Sequence, residues 1–325
     1  MNDRPAITVL MTVFNGGRHL APAVQSILSQ SHTDFEFLIV DDASTDGSIQ
    51  TLQTLAAGDS RIRLLFNDRN KGQTACLNQG LREAKGRWIA RQDADDLSLP
   101  GRLAAQWEAV RSCPDLVLLG VNGWIIDEKG ACSGLIHAPL HDPGIRWSMP
   151  FRNPFIHTGV MFRAGEGFYD EEFKICQDWE FWSRLAERGR LANLPDRLVA
   201  YRHSEKSLSH ASAERTESES AKIVSRIWLG RFGEEPTQSS LLTSFRNGLT
   251  SEMRSAFWDF HRNMRMRWTL GDTRQAAAVH HMQTAGAIGG KNISACAAEL
   301  FAALRESPLW SLRVLWERFF MKSRL

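Results

Sequence analysis

Three carboxylates, Asp93, Asp95 and Asp96, fall within four positions, directly after the apolar run Trp88-Ile89-Ala90. Acids this close repel one another unless water or a cation lies between them. Asp41 and Asp42 close a second apolar run, and Asn15 follows a third. One acidic cluster alone is most simply a solvated loop. Several clusters, each at the end of an apolar run, suggest a built site. Carboxylates with few histidines suit a hard divalent cation, Mg2+ or Mn2+. Such an ion bridges phosphate oxygens and neutralises charge on a departing diphosphate. In an extended segment Asp93 and Asp95, two apart, would point the same way and serve one ion, directly or through water.

The elements that must hold these residues alternate. Apolar, β-branched runs over 7–15, 35–44, 61–67 and 87–90 read as buried strands. Between them, 19–31, 45–58 and 72–86 carry helical spacing, and 99–113 follows as a helix with a proline near its start. Such alternation implies parallel βαβ units and an α/β sheet with helices on both faces. Ligands bind such sheets at the carboxyl ends of the strands, where the acidic clusters lie. Further along, 116–127 and 155–163 read as strands, 127–144 as a loop and 178–189 as a helix. Beyond about 211 the chain turns helical and polar.

Several function classes are excluded. The formal net charge of +2 gives no basic field for nucleic acid. The five cysteines form no CxxC pair, so neither zinc nor a disulfide framework is expected, and a reducing, cytoplasmic setting fits. No signal peptide and no apolar run of about 20 residues is found. The P-loop, G-x-G-x-x-G, G-x-S-x-G and H-E-x-x-H patterns are all absent.

Four stretches in order carry a resemblance: 12–48 with its Asp-Asp-x-Ser-x-Asp-Gly segment, 70–96 with its Asp-x-Asp segment, Cys176-Gln177-Asp178-Trp179 opening an aromatic helix, and Tyr201-Arg202 with Ser207 and Ser209. Together they resemble the family 2 glycosyltransferases of bacterial polysaccharide biosynthesis, over roughly the first 210 residues. The resemblance implies a GT-A fold, a Rossmann-like mixed sheet flanked by helices, for 1–210, with an α-helical extension over 211–325. It implies an inverting, metal-dependent transfer of sugar from a nucleotide-diphosphate donor, most simply UDP-linked, to a hydroxyl of a glycan or lipid-linked acceptor.

By that resemblance Thr12, Phe14 and Asn15 lie at the base, with Phe14 where the family often has tyrosine. Asp42 accepts from the base, Asp41 supports the loop, and Lys71 and Gly72 lie near base and ribose. Asp93, Ala94 and Asp95 form the nucleotide-sugar turn. Asp95 is the direct ligand of Mn2+ or Mg2+, and Asp93 meets the ribose or the ion's water shell. Asp178 is the catalytic base, beside Gln177 where the family commonly has glutamate; Asp178 can equally cap its helix. His157 and Trp179 are acceptor-side candidates, with Trp182 in the core. Arg202 and His203 are diphosphate candidates, each histidine also readable as structural. Two other functions are weaker: a nucleotidyltransferase, whose basic Gly-rich loop is missing, and a non-catalytic binding subunit, which would have lost Asp95 or Asp178.

The end of the chain, 307–325, places Leu309, Leu312, Leu315, Trp316, Phe319 and Phe320 on one helical arc with basic residues elsewhere. That pattern suits a membrane interface, at the inner face of the plasma membrane, or docking onto protein; both stay open.

Overall fold

The structure is a computed structural model and describes residues 4–150, 152–203 and 212–232. The chain divides into two compact units, Met1–Ile136 with Phe155–Ala211, and His137–Pro154 with Ser212–Leu325.

The first unit opens with strand β1 (Ile7–Val13), helix α1 (Leu20–Leu28), β2 (Phe35–Asp41), α2 (Ser48–Gly58), β3 (Ile62–Phe66), α3 (Gln73–Glu83) and β4 (Trp88–Asp93). β1 pairs in parallel with β2 on one side and β4 on the other, and β3 extends the set beyond β2. Every residue of β1 is buried, as a strand covered on both faces requires. One face packs on Leu20, Val24 and Ile27 of α1 and Leu52 of α2. On the other face α3 lies so close that a Cβ on its Gly80 would stand 2.2 Å from Leu10 Cδ1.

The sheet continues with β5 (Leu97–Ser98), α4 (Arg102–Ser112), β6 (Leu116–Ile126), β7 (Cys132–Ile136), β8 (Met161–Arg163), α6 (Gln177–Leu185) and β9 (Arg190–Arg202). Strand order is β3-β2-β1-β4-β8-β6-β9-β5, with β7 on β6. β8 runs antiparallel to β4 and β6, so the sheet is mixed. In the second unit, α5 (Asp142–Ser148) holds an Arg146–Asp142 ion pair, and α7 is Ala213–Phe232. The 307–325 arc lies outside the described residues.

Two expectations need correction. The strand over 155–163 is only Met161–Arg163, because a 3-10 turn, His157–Gly159, occupies its first half. Gly159 packs so tightly that an added Cβ would lie 2.9 Å from Val121. The loop over 127–144 contains β7, which folds back on β6 as the second arm of a hairpin, and the start of α5, with Pro143 in its first turn.

Gly86 joins α3 to β4. Its N–H donates to Thr8 Oγ1 at 2.8 Å, and a Cβ there would stand 2.2 Å from Thr8 N. Backbone cannot yield as a flexible side chain can. Gly86→Ala is therefore expected to destabilise the first unit by about 1–3 kcal/mol. An unchanged thermal or urea transition would contradict this close approach.

Candidate active site

The carboxyl ends of β1 and β2 are stitched together. Asn15, in the left-handed region at φ 53°, accepts the Thr45 N–H on Oδ1 at 2.8 Å and donates its own N–H to Ser44 Oγ at 2.9 Å. The Gly17 N–H donates to Asp46 Oδ2 at 2.9 Å. Thr12 is buried just before, and Phe14 is 53% exposed at the rim. An exposed aromatic face at this edge is a stacking platform.

Asp41 is buried and turns its Oδ1 onto the Ser44 N–H at 2.9 Å, closing the loop. Asp42 reaches the other way. Its Oδ1 accepts Asn67 Nδ2 and the Lys71 N–H, both at 2.9 Å, and its Oδ2 accepts the Gly72 N–H at 2.8 Å. Burial pushes the Asp42 carboxyl up, but hydrogen bonds from Lys71, Asn67, Cys76 and Gly72 outweigh it, and it lies below its ordinary value. Gly72 sits at φ 88°, ψ 153°, which glycine adopts without strain and which presents its N–H to Asp42. Asn15, Asp41, Asp42, Lys71 and Gly72 thus form one braced edge.

The acid run departs from the extended shape expected. β4 ends at Asp93, Ala94 and Asp95 form a turn, and Asp96 goes inward. Asp93 and Asp95 therefore do not share a strand face. The reason lies in Asp96. It is buried, and its Oδ1 accepts the Arg202 N–H at 2.6 Å, which pulls the chain round. Burial, then the charges of Asp95 and Asp93, raise Asp96 well above its ordinary pKa. Arg202 adds a brace: its Nε donates to Asp95 O at 2.9 Å and its Nη1 to Asp127 O at 2.6 Å. Its guanidinium is thus held by backbone carbonyls under the turn, while His203 follows on the exposed side.

Asp95 is exposed, yet crowding by surrounding protein and the charge of Asp93 raise its carboxyl to about 6. Asp93 is ion-paired with Arg91 Nη2, and its N–H donates to Thr158 Oγ1 at 3.0 Å. Below lies a second buried guanidinium, Arg102, which donates to Arg91 O and Ser98 Oγ, each at 2.7 Å. Burial, then the charge of Arg91, lowers Arg102 to about 9. No group of three His, Cys, Asp or Glu among the described residues forms a metal cage. A hard ion held mainly by substrate phosphates needs only one or two protein carboxylates. The oxygen donors of Asp95 and Asp93, with a mutual repulsion that a cation relieves, fit that arrangement.

Beyond the turn opens a pocket of about 350 Å³. Asp93 and His157 face it from one side, and Asp178 and Gln177 from the start of α6, with Lys174 and Tyr201 alongside. Asp178 Oδ1 accepts the Trp179 N–H at 2.7 Å, so it braces the helix start as well as reaching the pocket. His157 is held neutral: burial and the Arg91 charge push it down to about 3. Burial and the nearby aspartates push Tyr201 up to about 12. Trp182 is fully buried among Phe155, Phe162, Tyr169 and Phe181, in the core as expected. Trp179 is buried too, at 7% exposure. Sequence reasoning singled out none of Arg91, Gln73 and Lys174, and gave Tyr201 no role beyond its place in the 201–209 stretch. Arg91 left a signal as a charge directly after the apolar run 87–90, and Tyr201 another as the first residue of the 201–209 stretch.

Residues 8–164 match the family model described as glycosyl transferase family 2. EpsE of Bacillus subtilis, named as a glycosyltransferase, is 37% identical over 210 residues, covering 62% of this chain and 74% of EpsE. The chain belongs to glycosyl transferase family 2. TuaG of the same organism, named for teichuronic acid biosynthesis, is 29% identical over 218 residues, 64% of this chain and 83% of TuaG. Residues 1–349 of S. aureus TarS in complex with UDP-GlcNAc superpose with a TM-score of 0.56 at 14% identity, over 96% of this chain and 91% of that one. The GT-A-like architecture expected from the sequence is the one observed. This family 2 glycosyltransferase carries both acid clusters at the carboxyl edge of its sheet, as the α/β rule requires.

Proposed function

We propose that this glycosyltransferase moves a sugar from a UDP-linked donor to a hydroxyl of a glycan or lipid-linked acceptor, with inversion, during cell-surface polysaccharide synthesis. The observation that carries this reading is the shared pocket: Asp178 and Asp93, next to Asp95, both line it. A candidate base and a candidate donor-phosphate turn thus border one space large enough for a sugar ring.

Phe14 stacks on the base and Asp42 holds it, with Asn15, Lys71 and Gly72 shaping the base and ribose seat. Mn2+ or Mg2+, held by Asp95 with Asp93 beside it, would neutralise the leaving diphosphate. Asp178 accepts the proton of the acceptor hydroxyl as its oxygen bonds to the anomeric carbon. The bond from that carbon to the diphosphate oxygen breaks on the opposite side, and UDP leaves. His157 shapes the acceptor side, Trp179, next to Asp178, is buried and outside the pocket lining, and His203 lies near the diphosphate. Residues 1–210 carry the reaction. Residues 211–325, through 307–325, attach the enzyme to the inner face of the plasma membrane or to a partner. Among the described residues no helix is long and apolar enough to cross a membrane.

Support for the polysaccharide setting comes from TuaG, and for a UDP-sugar donor from the complex of TarS. Calorimetric titration with UDP and GDP, in Mn2+ and in EDTA, tests the reading. UDP should bind in Mn2+, and EDTA should weaken it by about tenfold or more. Phe14→Ala should cost about 0.5–1.5 kcal/mol of UDP affinity. Absence of any UDP binding, or a clear preference for GDP, would overturn the UDP assignment.

A further inference from the structure

Arg91 stands in the middle of β4 with no solvent exposure. A guanidinium so placed is costly unless its donors are matched. They are matched with direction. Nη1 donates to Leu10 O at 2.6 Å and to Gln92 O at 3.0 Å, which fixes the group against the sheet. Nη2 donates to Asp93 Oδ1, and Nε donates to His157 Nε2 at 3.1 Å. An arginine Nε–H can only donate, so His157 Nε2 must accept. The proton of the neutral imidazole then sits on Nδ1. That nitrogen faces Asp93 Oδ2 at 3.9 Å.

The rest of the 3-10 turn supports the same geometry. Tyr169 OH lies 3.2 Å from His157 Nε2, and the Tyr169 and Trp182 rings pack against the imidazole. Thr158, the next residue, accepts the Asp93 N–H. Asp93 is therefore held at Oδ1 by Arg91 and at its backbone by Thr158, and neutral His157, 3.9 Å from Oδ2 and so beyond hydrogen-bond reach of it, acts on Asp93 through the Arg91 guanidinium. His157 also lines the pocket that Asp178 faces.

We propose that Arg91 and His157 are positioning residues for Asp93. They hold the donor-side carboxylate in one orientation beside Asp95, so that binding of metal–UDP depends on a side chain in the acceptor-side wall. The inference rests on the proposed UDP and metal chemistry.

The test is UDP binding by calorimetry, in Mn2+ and in EDTA, for the full chain and variants at position 157, with thermal melting as the folding control. His157→Leu should weaken UDP binding in Mn2+ by about tenfold and leave binding in EDTA unchanged. His157→Gln, whose amide oxygen reaches the place of Nε2 and can accept from Arg91 Nε, should recover most of the loss. His157→Asn, which reaches only the place of Nδ1, should not. An unchanged His157→Leu overturns the inference. So does an equal loss with and without Mn2+, which general loosening would give. If His157→Leu fails to fold, the asparagine and glutamine variants decide, and equal affinities for those two overturn it. A wild-type chain that shows no Mn2+-dependent UDP binding removes the proposed donor chemistry itself, and this inference with it.

Discussion

Asp178→Asn is expected to lower sugar transfer by about 10³-fold while leaving the fold and UDP binding intact. The size follows from the role. A neutral amide cannot take the proton of the attacking hydroxyl, and general-base assistance is lost. The selectivity follows from the geometry. Asp178 Oδ1 accepts the Trp179 N–H, and an asparagine Oδ1 can do the same, so the start of α6 survives. The residue lines the pocket, whereas the proposed nucleotide seat lies at the ends of β1 and β2 and the turn before α3. Transfer rate, UDP affinity and melting temperature, measured together, check it. Transfer within about threefold of wild type, far below the general-base range, would remove Asp178 as the base. Loss of UDP binding would make it a donor-site residue instead.

Asp95→Asn carries the second large effect, and its two parts have opposite sign. Metal-dependent UDP binding should fall by about 10- to 100-fold, with transfer falling at least as far. Without metal, the same change should stabilise the fold at neutral pH. Crowding and the Asp93 charge raise the Asp95 carboxyl from an ordinary 3.8 to about 6. A carboxyl raised on folding favours the folded state while it is protonated. That contribution is full below its unfolded value and disappears as pH climbs through about 6. Above that, wild type carries an unfavourable charge that the variant lacks. In EDTA the melting temperature of Asp95→Asn should exceed wild type at pH 8, and the gap should close toward pH 4. A gap that widens with acid would show that Asp95 is stabilised by its neighbours and not strained by them. A function-bearing acid held against local repulsion is a familiar compromise between stability and activity.

Much of the parallel half of the fold was legible in the sequence. The runs that became β1, β2 and β4 are apolar on both faces and end at polar residues, so their character and their loaded edges could both be read. The second half was less legible. β5 has two residues and no intrinsic signal, and β8 keeps only the last three residues of the run over 155–163 that reads as a strand. Their pairing with β9 and β4 makes them strands. At the site, residue types showed which carboxylates mattered but not how they divide the work. Asp93, Asp95 and Asp96 look equivalent in sequence. One is ion-paired with Arg91 two positions before it, one is exposed, and one is buried against the N–H of Arg202, 106 positions away. Arg91 was readable only as an anomaly, because the histidine it orients comes 66 residues later.

The most direct test of the account is UDP release from a panel of UDP-sugars by the purified chain in Mn2+ or Mg2+, with EDTA and Asp95→Asn as controls. The account predicts slow release from one donor even without an acceptor, abolished by EDTA and by the substitution. Release that ignores both controls would contradict the metal-bound donor site. No release from any UDP-sugar, together with no UDP binding in either metal, would contradict the transferase chemistry assigned to Asp95 and Asp178.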